Sequence, residues 1–210
     1  MNQNYVIGID EAGRGPLAGP VSVSAVIIKS EDYTKIKSKI RSFKWLIKNK
    51  FPALRDSKKL SEIQREQWFE QLKQWKKEKL LDFTNSMTGP EIIDEKGISV
   101  VISSAITKLL KKFPQADPEK TLVLLDGSLK APEIFAHQNT IIKGDELEPI
   151  ISFASIISKI KRDNKMKTLS KQYNKYELDI HKGYGTLKHR RLIKKFGMSK
   201  IHRKSFCKNI

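Results

Sequence analysis

The sequence predicts an α/β fold, a mixed sheet flanked by helices. Three observations lead there. Short β-branched runs occur at residues 5–9, 21–28 and 121–125. Apolar residues repeat with helical spacing over 61–80, over 98–110 and again from Pro149. These segments interleave along the chain, as in α/β domains.

Residues 5–9 are an apolar strand. Residues 10–19 carry three glycines, and Pro16 and Pro20 bracket their second part, so a loop is predicted. Residues 21–28 alternate: Val21, Val23, Ala25 and Ile27 face one way, Ser22 and Ser24 the other. This strand is expected to pair with the first. Residues 29–55 are basic and aromatic (Lys35, Lys37, Arg41, Trp45) and read as a surface insertion in the sheet, rather than as an extension of a nucleic-acid contact. Ser61 and Gln64 form a capping box ahead of Trp68, Leu72 and Trp75, so residues 61–80 are a helix with its tryptophans in the core. Pro90 suits a first helical position, and Gly97 separates that turn from the helix over 98–110. The run 121–125 is a strand ending at Asp126-Gly127, and 139–142 a further short strand. Pro149 opens a helix with Ile150, Phe153, Ala154, Ile157 and Ile160 on its apolar side and Asp163 near its far end. Residues 170–210 are basic, helical or irregular, with a turn at Gly183-Tyr184-Gly185.

A chain of 210 residues suits one domain, here 1–210, with about 170–210 as a helical extension. The net charge of +18 favours a polyanionic partner, although a lysine-rich solvated surface accounts for it equally well. The single cysteine, Cys207, excludes an internal disulfide and suits a reducing compartment. No basic-then-apolar leader precedes the first strand, and no uncharged run approaches the ~20 residues that span a bilayer. A cytoplasmic protein with no membrane contact is expected. His137, His181, His189 and His202 show no zinc spacing, and His181 is expected to make a structural hydrogen bond.

Four acids invite a functional reading. Asp10 and Glu11 end one strand, Asp126 ends another, and Asp163 lies on the helix after 149. Carboxylates gathered at a sheet rim repel one another, and hard divalent cations relieve that repulsion through oxygen ligands. Two ions ~3.5–4 Å apart can hold a phosphodiester, activating water on one side and stabilising the leaving oxygen on the other. Singly, Asp126 reads as a turn residue and Asp163 as a solvated helix residue. Asp10-Glu11 is harder to explain that way, with three glycines beside it that admit a ligand to the backbone.

The segment from Gly8 to Val21, with Gly8-Ile9-Asp10-Glu11-Ala12-Gly13-Arg14-Gly15 at its heart, resembles the N-terminal signature of bacterial ribonuclease HII. Asp56-Ser57-Lys58-Lys59-Leu60, Leu125-Asp126-Gly127, Lys143-Gly144-Asp145 with Ala154-Ser155-Ile156 and Arg162-Asp163, and His181 to Thr186 with His189 and residues 201–206 resemble further motifs of that family, in its order. The resemblance implies the ribonuclease H-like fold with a C-terminal helical extension. It implies a monomeric endonuclease that hydrolyses the RNA strand of RNA–DNA hybrids and incises at ribonucleotides embedded in duplex DNA. It implies Asp10, Glu11, Asp126 and Asp163 as catalytic, metal-binding acids for Mg²⁺ or Mn²⁺. Gly13, Arg14 and Gly15 would follow the ribose 2′-OH, Tyr184 would pack on the adjoining sugar, and Ser57 and Lys58 would meet phosphate. Phe153 and Ser158 depart from the family pattern, as repacking that does not touch the acids. A silent hybrid-binding module, or another nuclease of this fold such as a junction resolvase, shares the basic surface.

Overall fold

The computed structural model describes residues 3–54, 57, 59–208 and 210. One sheet holds β1 (Tyr5–Ala12), β2 (Val21–Lys29), β3 (Leu81–Thr88), β4 (Thr121–Asp126) and β5 (Gln138–Ile141), in spatial order β3-β2-β1-β4-β5. β1 runs antiparallel to β2 and parallel to β4, so the expected mixed sheet is present. The helices among the described residues are α1 (Ser30–Arg41), α2 (Phe43–Lys48), α3 (Glu62–Lys77), α4 (Pro90–Lys96), α5 (Ile98–Leu110), α6 (Gly144–Leu147), α7 (Pro149–Gln172), α8 (Leu178–His181) and α9 (Leu187–Phe196).

Strand alternation divides the core in two. Ile7, Ile9, Val21, Val23, Ala25 and Ile27 pack with Val101, Ile102, Ile106 and Leu109 of α5. Val6, Val26 and Ile28 point to the other face, where α3 contributes Trp68, Leu72 and Trp75 and α7 contributes Ile150, Phe153 and Ile157. Each such side chain contributes roughly 1.5–3 kcal/mol on burial. Both tryptophans are therefore core residues, and Phe153 fits against their rings, with centroids 6.1 and 5.8 Å away. The capping box at Ser61 and Gln64 opens α3 as expected.

Three expectations change. β1 continues through Asp10 and Glu11 to Ala12, because the ladder with β2 persists to Ala12–Ser22; the loop begins only at Gly13. β3 was not anticipated. Its sequence, Leu-Asp-Phe-Thr-Asn-Ser-Met-Thr, is polar because it lies at the sheet edge and is mostly half-buried. The surface insertion expected at 29–55 is not confined to the surface: α1 and α2 place Tyr33, Ile36, Ile40 and Leu46 in the core. Tyr33 and Lys37 both bond Glu148, which tethers α1 to the start of α7. Among the described residues, no helix is long and apolar enough to cross a membrane.

The seat of α7 on β1 is unusually close. A methyl group on Gly8 would lie 2.4 Å from the carbonyl oxygen of Ile150, so only glycine allows it. Gly8→Ala is expected to lower stability by roughly 1–3 kcal/mol, as overpacking against backbone does. Urea unfolding of the two proteins measures it, and an unchanged midpoint would mean that the helix can move away freely.

Candidate active site

β1 and β4 run parallel, and their last paired residues are Ile9 and Leu125. The next residue on each strand is an aspartate, so Asp10 and Asp126 stand side by side at the carboxyl ends of the strands. Asp10 is 4% exposed. Burial, then the charges of Glu11 and Asp126, push its carboxyl well above the usual range, against a lowering hydrogen bond from Ser155. Burial also raises Glu11, Arg14 opposes that rise, and Asp126 adds to it. The Arg14–Glu11 pair is long, at 3.9 Å. Asp126 accepts a 2.7 Å hydrogen bond from the Gly144 N–H, which aims one of its oxygens.

This cluster is short of positive charge. Its donors are all carboxylate oxygens, which suit Mg²⁺ or Mn²⁺ and do not suit a soft metal. The residues therefore fit the hard divalent ion that the family pattern implies. Among the described residues, no three acidic, histidine or cysteine side chains are already arranged to enclose an ion.

α7 runs along β1 and supports the acids from behind. Ser155 faces the Asp10 carboxyl and opposes its rise, and its hydroxyl shares a 2.8 Å hydrogen bond with that of Ser57. Ser57 is 2% exposed, and its hydroxyl is turned inward. Ser158 donates to the carbonyl oxygen of Asp10 at 3.0 Å. It therefore does touch an acid, contrary to the expectation for that departure from the family pattern. Asp163 follows Ser158 by five residues, about 7.5 Å of helix rise. It is held by Lys159, 3.0 Å away, and Lys159 also lies 6.0 Å from the centre of the Tyr184 ring. The structure thus couples Asp10, Glu11 and Asp126 through their charges, and places Asp163 further along α7 in its own ion pair. Lys58 and Asp56 lie outside the described residues.

The loop after β1 is held by two arginines, each 0% exposed. Arg162 bonds the carbonyl oxygens of Pro20, Ala18 and Lys182. Arg203 bonds those of Gly13, Arg14 and Gly19. Gly13 has φ +91°, and a methyl group there would lie 2.0 Å from Nε of Arg162. Arg14 and Gly15 are exposed. Tyr184 is 41% exposed, and its ring centre is 5.7 Å from the Arg162 guanidinium. Sequence reasoning missed both arginines and the Ser57–Ser155 link.

A histidine chain backs Tyr184. The Ser199 N–H donates to Nδ1 of His202, which leaves the His202 proton on Nε2, 3.2 Å from Nε2 of His189. His189 then carries its proton on Nδ1 and donates to the Tyr184 carbonyl oxygen. His181 stacks on His189, accepts from the Gly183 N–H and donates to the Tyr176 carbonyl oxygen. The structural hydrogen bond expected of His181 is present.

A family model, Ribonuclease HII, matches residues 7–209. A ribonuclease HII of Endomicrobium trichonymphae is 41% identical over 201 residues, covering 96% of this chain and 84% of that protein. One of Ruminiclostridium cellulolyticum is 39% identical over 206 residues, covering 98% and 71%. Among solved structures, a ribonuclease H2 from Pyrococcus horikoshii superposes with a TM-score of 0.67 at 24% identity, covering 97% and 95% of the two chains.

The histidine chain admits no extra proton between His189 and His202. Burial, first of all, lowers His189 to about 4. The unfolded chain takes up this proton near pH 6.5 and the folded one only near 4, so stability is full above pH 6.5 and falls as the pH drops towards 4. At pH 5 the loss is roughly 2 kcal/mol for this residue. Urea unfolding at pH 7.5 and pH 5 should show a smaller drop for His189→Gln, by about that amount. An equal drop in both proteins would place the acid sensitivity elsewhere.

Proposed function

The chain belongs to the ribonuclease HII family of endoribonucleases, and we propose that it cleaves the RNA strand of RNA–DNA hybrids and incises at single ribonucleotides embedded in duplex DNA. The observation that carries this reading is the side-by-side placement of Asp10 and Asp126, with Glu11 in the same charge cluster and the Gly13–Gly15 loop immediately after it. An acidic site that repels phosphate, set on a chain of net charge +18, makes sense when a cation completes it.

In this mechanism Asp10, Glu11, Asp126 and Asp163 would hold two divalent ions, Mg²⁺ or Mn²⁺. When bound, such ions polarise the scissile phosphate and lower the pKa of the attacking water. The protein supplies orientation. Ser155 and Ser158 hold Asp10 by its side chain and its carbonyl, and the Gly144 N–H holds Asp126. For Ser57 we assign support of Asp10 through Ser155, in place of direct contact with phosphate by its hydroxyl; Lys58 retains the phosphate role. The N–H groups of Gly13, Arg14 and Gly15 read the ribose 2′-OH, which is how a protein distinguishes RNA from DNA at a given position. The exposed face of Tyr184 packs on the neighbouring sugar. Residues 170–210, with the basic helix α9, form the substrate-binding extension. Cleavage leaves a 3′-hydroxyl on the upstream piece. The enzyme acts as a cytoplasmic monomer.

A duplex with one ribonucleotide, incubated with the protein and Mg²⁺ or Mn²⁺, should be incised beside that ribonucleotide. No incision with either ion would overturn the reading. Asp10→Asn should keep duplex affinity and lose cleavage by more than about 100-fold, the scale of removing one preorganised charge-stabilising group. Mn²⁺ should also raise the Tm of the native protein, since it binds only the folded cluster, and raise that of Asp10→Asn much less. Equal Tm shifts would remove Asp10 from the metal set.

A further inference from the structure

The sequence motif at residues 13–15 does not by itself explain why the loop holds one conformation. Gly13 has a positive φ, and a methyl group on Gly15 would meet nothing within 4 Å. Two glycines around an exposed arginine make a soft segment. Its order must come from a contact elsewhere, and Arg203 provides one. Its Nη2 lies 2.7 Å from the Gly13 carbonyl oxygen, its Nη1 2.9 Å from that of Arg14 and its Nε 3.0 Å from that of Gly19. Three carbonyls around one planar fork is a use that lysine cannot reproduce.

Peptide planarity gives these bonds a consequence. The Gly13 carbonyl shares its plane with the Arg14 N–H, and the Arg14 carbonyl shares its plane with the Gly15 N–H. In a trans peptide the two groups point in opposite directions. Drawing both carbonyls inward to Arg203 therefore turns the N–H groups of Arg14 and Gly15 outward, on the two residues of this loop that are exposed. Among the described residues, no backbone hydrogen bond outside the strands uses the N–H of Gly13, Arg14 or Gly15.

A buried guanidinium is a costly way to fill space, since an apolar side chain of similar volume avoids the desolvation. Arg203 makes no ion pair among the described residues. Asp94, the acid whose charge it feels, is occupied by the N–H groups of Lys204 and Ser205 and by the Ser205 hydroxyl. The backbone around it is equally constrained: the Arg203 N–H donates to Leu17 O at 2.8 Å, and the Gly19 N–H donates to Ile201 O at 2.8 Å. Arg162 packs against Gly13 but hydrogen-bonds only the second half of the loop, at Ala18 and Pro20; the carbonyls of Gly13 and Arg14 go to Arg203.

We propose that Arg203 is a positioning residue for ribose discrimination, holding the Gly13–Arg14 and Arg14–Gly15 peptide planes so that the N–H groups of Arg14 and Gly15 form a preorganised donor set for the 2′-hydroxyl. The proposal rests on the reading of Gly13–Gly15 as the ribose sensor.

The test compares affinities for two duplexes that differ only in one ribonucleotide or deoxyribonucleotide. Fluorescence anisotropy is measured in Mg²⁺ with the non-cleaving Asp10→Asn protein, with and without Arg203→Met. The parent should prefer the ribonucleotide duplex. Adding Arg203→Met should reduce that preference by about tenfold, the worth of one or two hydrogen bonds. Affinity for the all-DNA duplex should stay within about twofold, because phosphate contacts dominate it. Arg203→Lys, which keeps the charge and loses the fork, should fall between the two. Equal weakening on both duplexes, or a retained preference, overturns the proposal and leaves Arg203 a stabilising residue only. A parent with no preference overturns the ribose-sensor reading itself, and the proposal with it, before Arg203 is changed. If circular dichroism shows Arg203→Met unfolded, Arg203→Lys decides: a reduced preference supports the proposal and a full one overturns it.

Discussion

Gly8 lets the first turn of α7 come down onto the backbone of β1, and the geometry of the site follows from that contact. From there the helix tracks the strand. Ser155 and Ser158 arrive at Asp10, and Arg162 arrives at Gly13, with no further adjustment. A larger residue at position 8 would lift the helix, and the same displacement would reach each of those partners. The parallel register of β1 and β4 then sets Asp126 beside Asp10. One close approach and one register thus place three groups from distant parts of the chain.

The molecule keeps its buried charges of opposite sign apart. Asp10 is nearly inaccessible and lies among other carboxylates, yet Arg162 and Arg203, both fully buried, are directed to backbone carbonyls. Had either guanidinium met Asp10, it would have offset part of the negative charge that a divalent ion would otherwise balance. Committing the arginines to the loop keeps the acidic cluster electron-rich and makes the loop rigid at the same time. Lys159 does meet an acid: it lies between Asp163 and the Tyr184 ring, and so connects the acid furthest along α7 to that exposed ring.

Much of this was legible in the sequence. The capping box at Ser61, the periodicity of 98–110 and the strand ending at Asp126 are strong local patterns, and the structure keeps them. What was not legible depended on long-range pairing. β3 is polar because it is an edge strand, so neither composition nor alternation marks it. β1 extends through Asp10 and Glu11 because β2 continues to pair with it, although two acids before a glycine read locally as a loop. The Ser57–Ser155–Asp10 chain joins segments almost a hundred residues apart, which no spacing rule detects. The arginines did leave a trace. The chain has 33 lysines and only eight arginines, and two of those eight, Arg162 and Arg203, are the buried forks that bond three backbone carbonyls each.

The interlocking of the first motif with the last has a consequence for how the protein is made. Residues 17–19 bond Gly183 on one side and residues 201–203 on the other, and Gly13 and Arg14 wait for Arg203. These are contacts of very high sequence separation, which form late and slowly in folding. During synthesis the sheet and α7 can assemble, with Arg162 at Ala18 and Pro20, while the carbonyls of Gly13 and Arg14 still lack Arg203. The three bonds from Arg203 to Gly13, Arg14 and Gly19 therefore form only after residue 203 has left the ribosome, and a chain that stops short of it keeps Asp10 and Glu11 beside a loop that α7 holds without them.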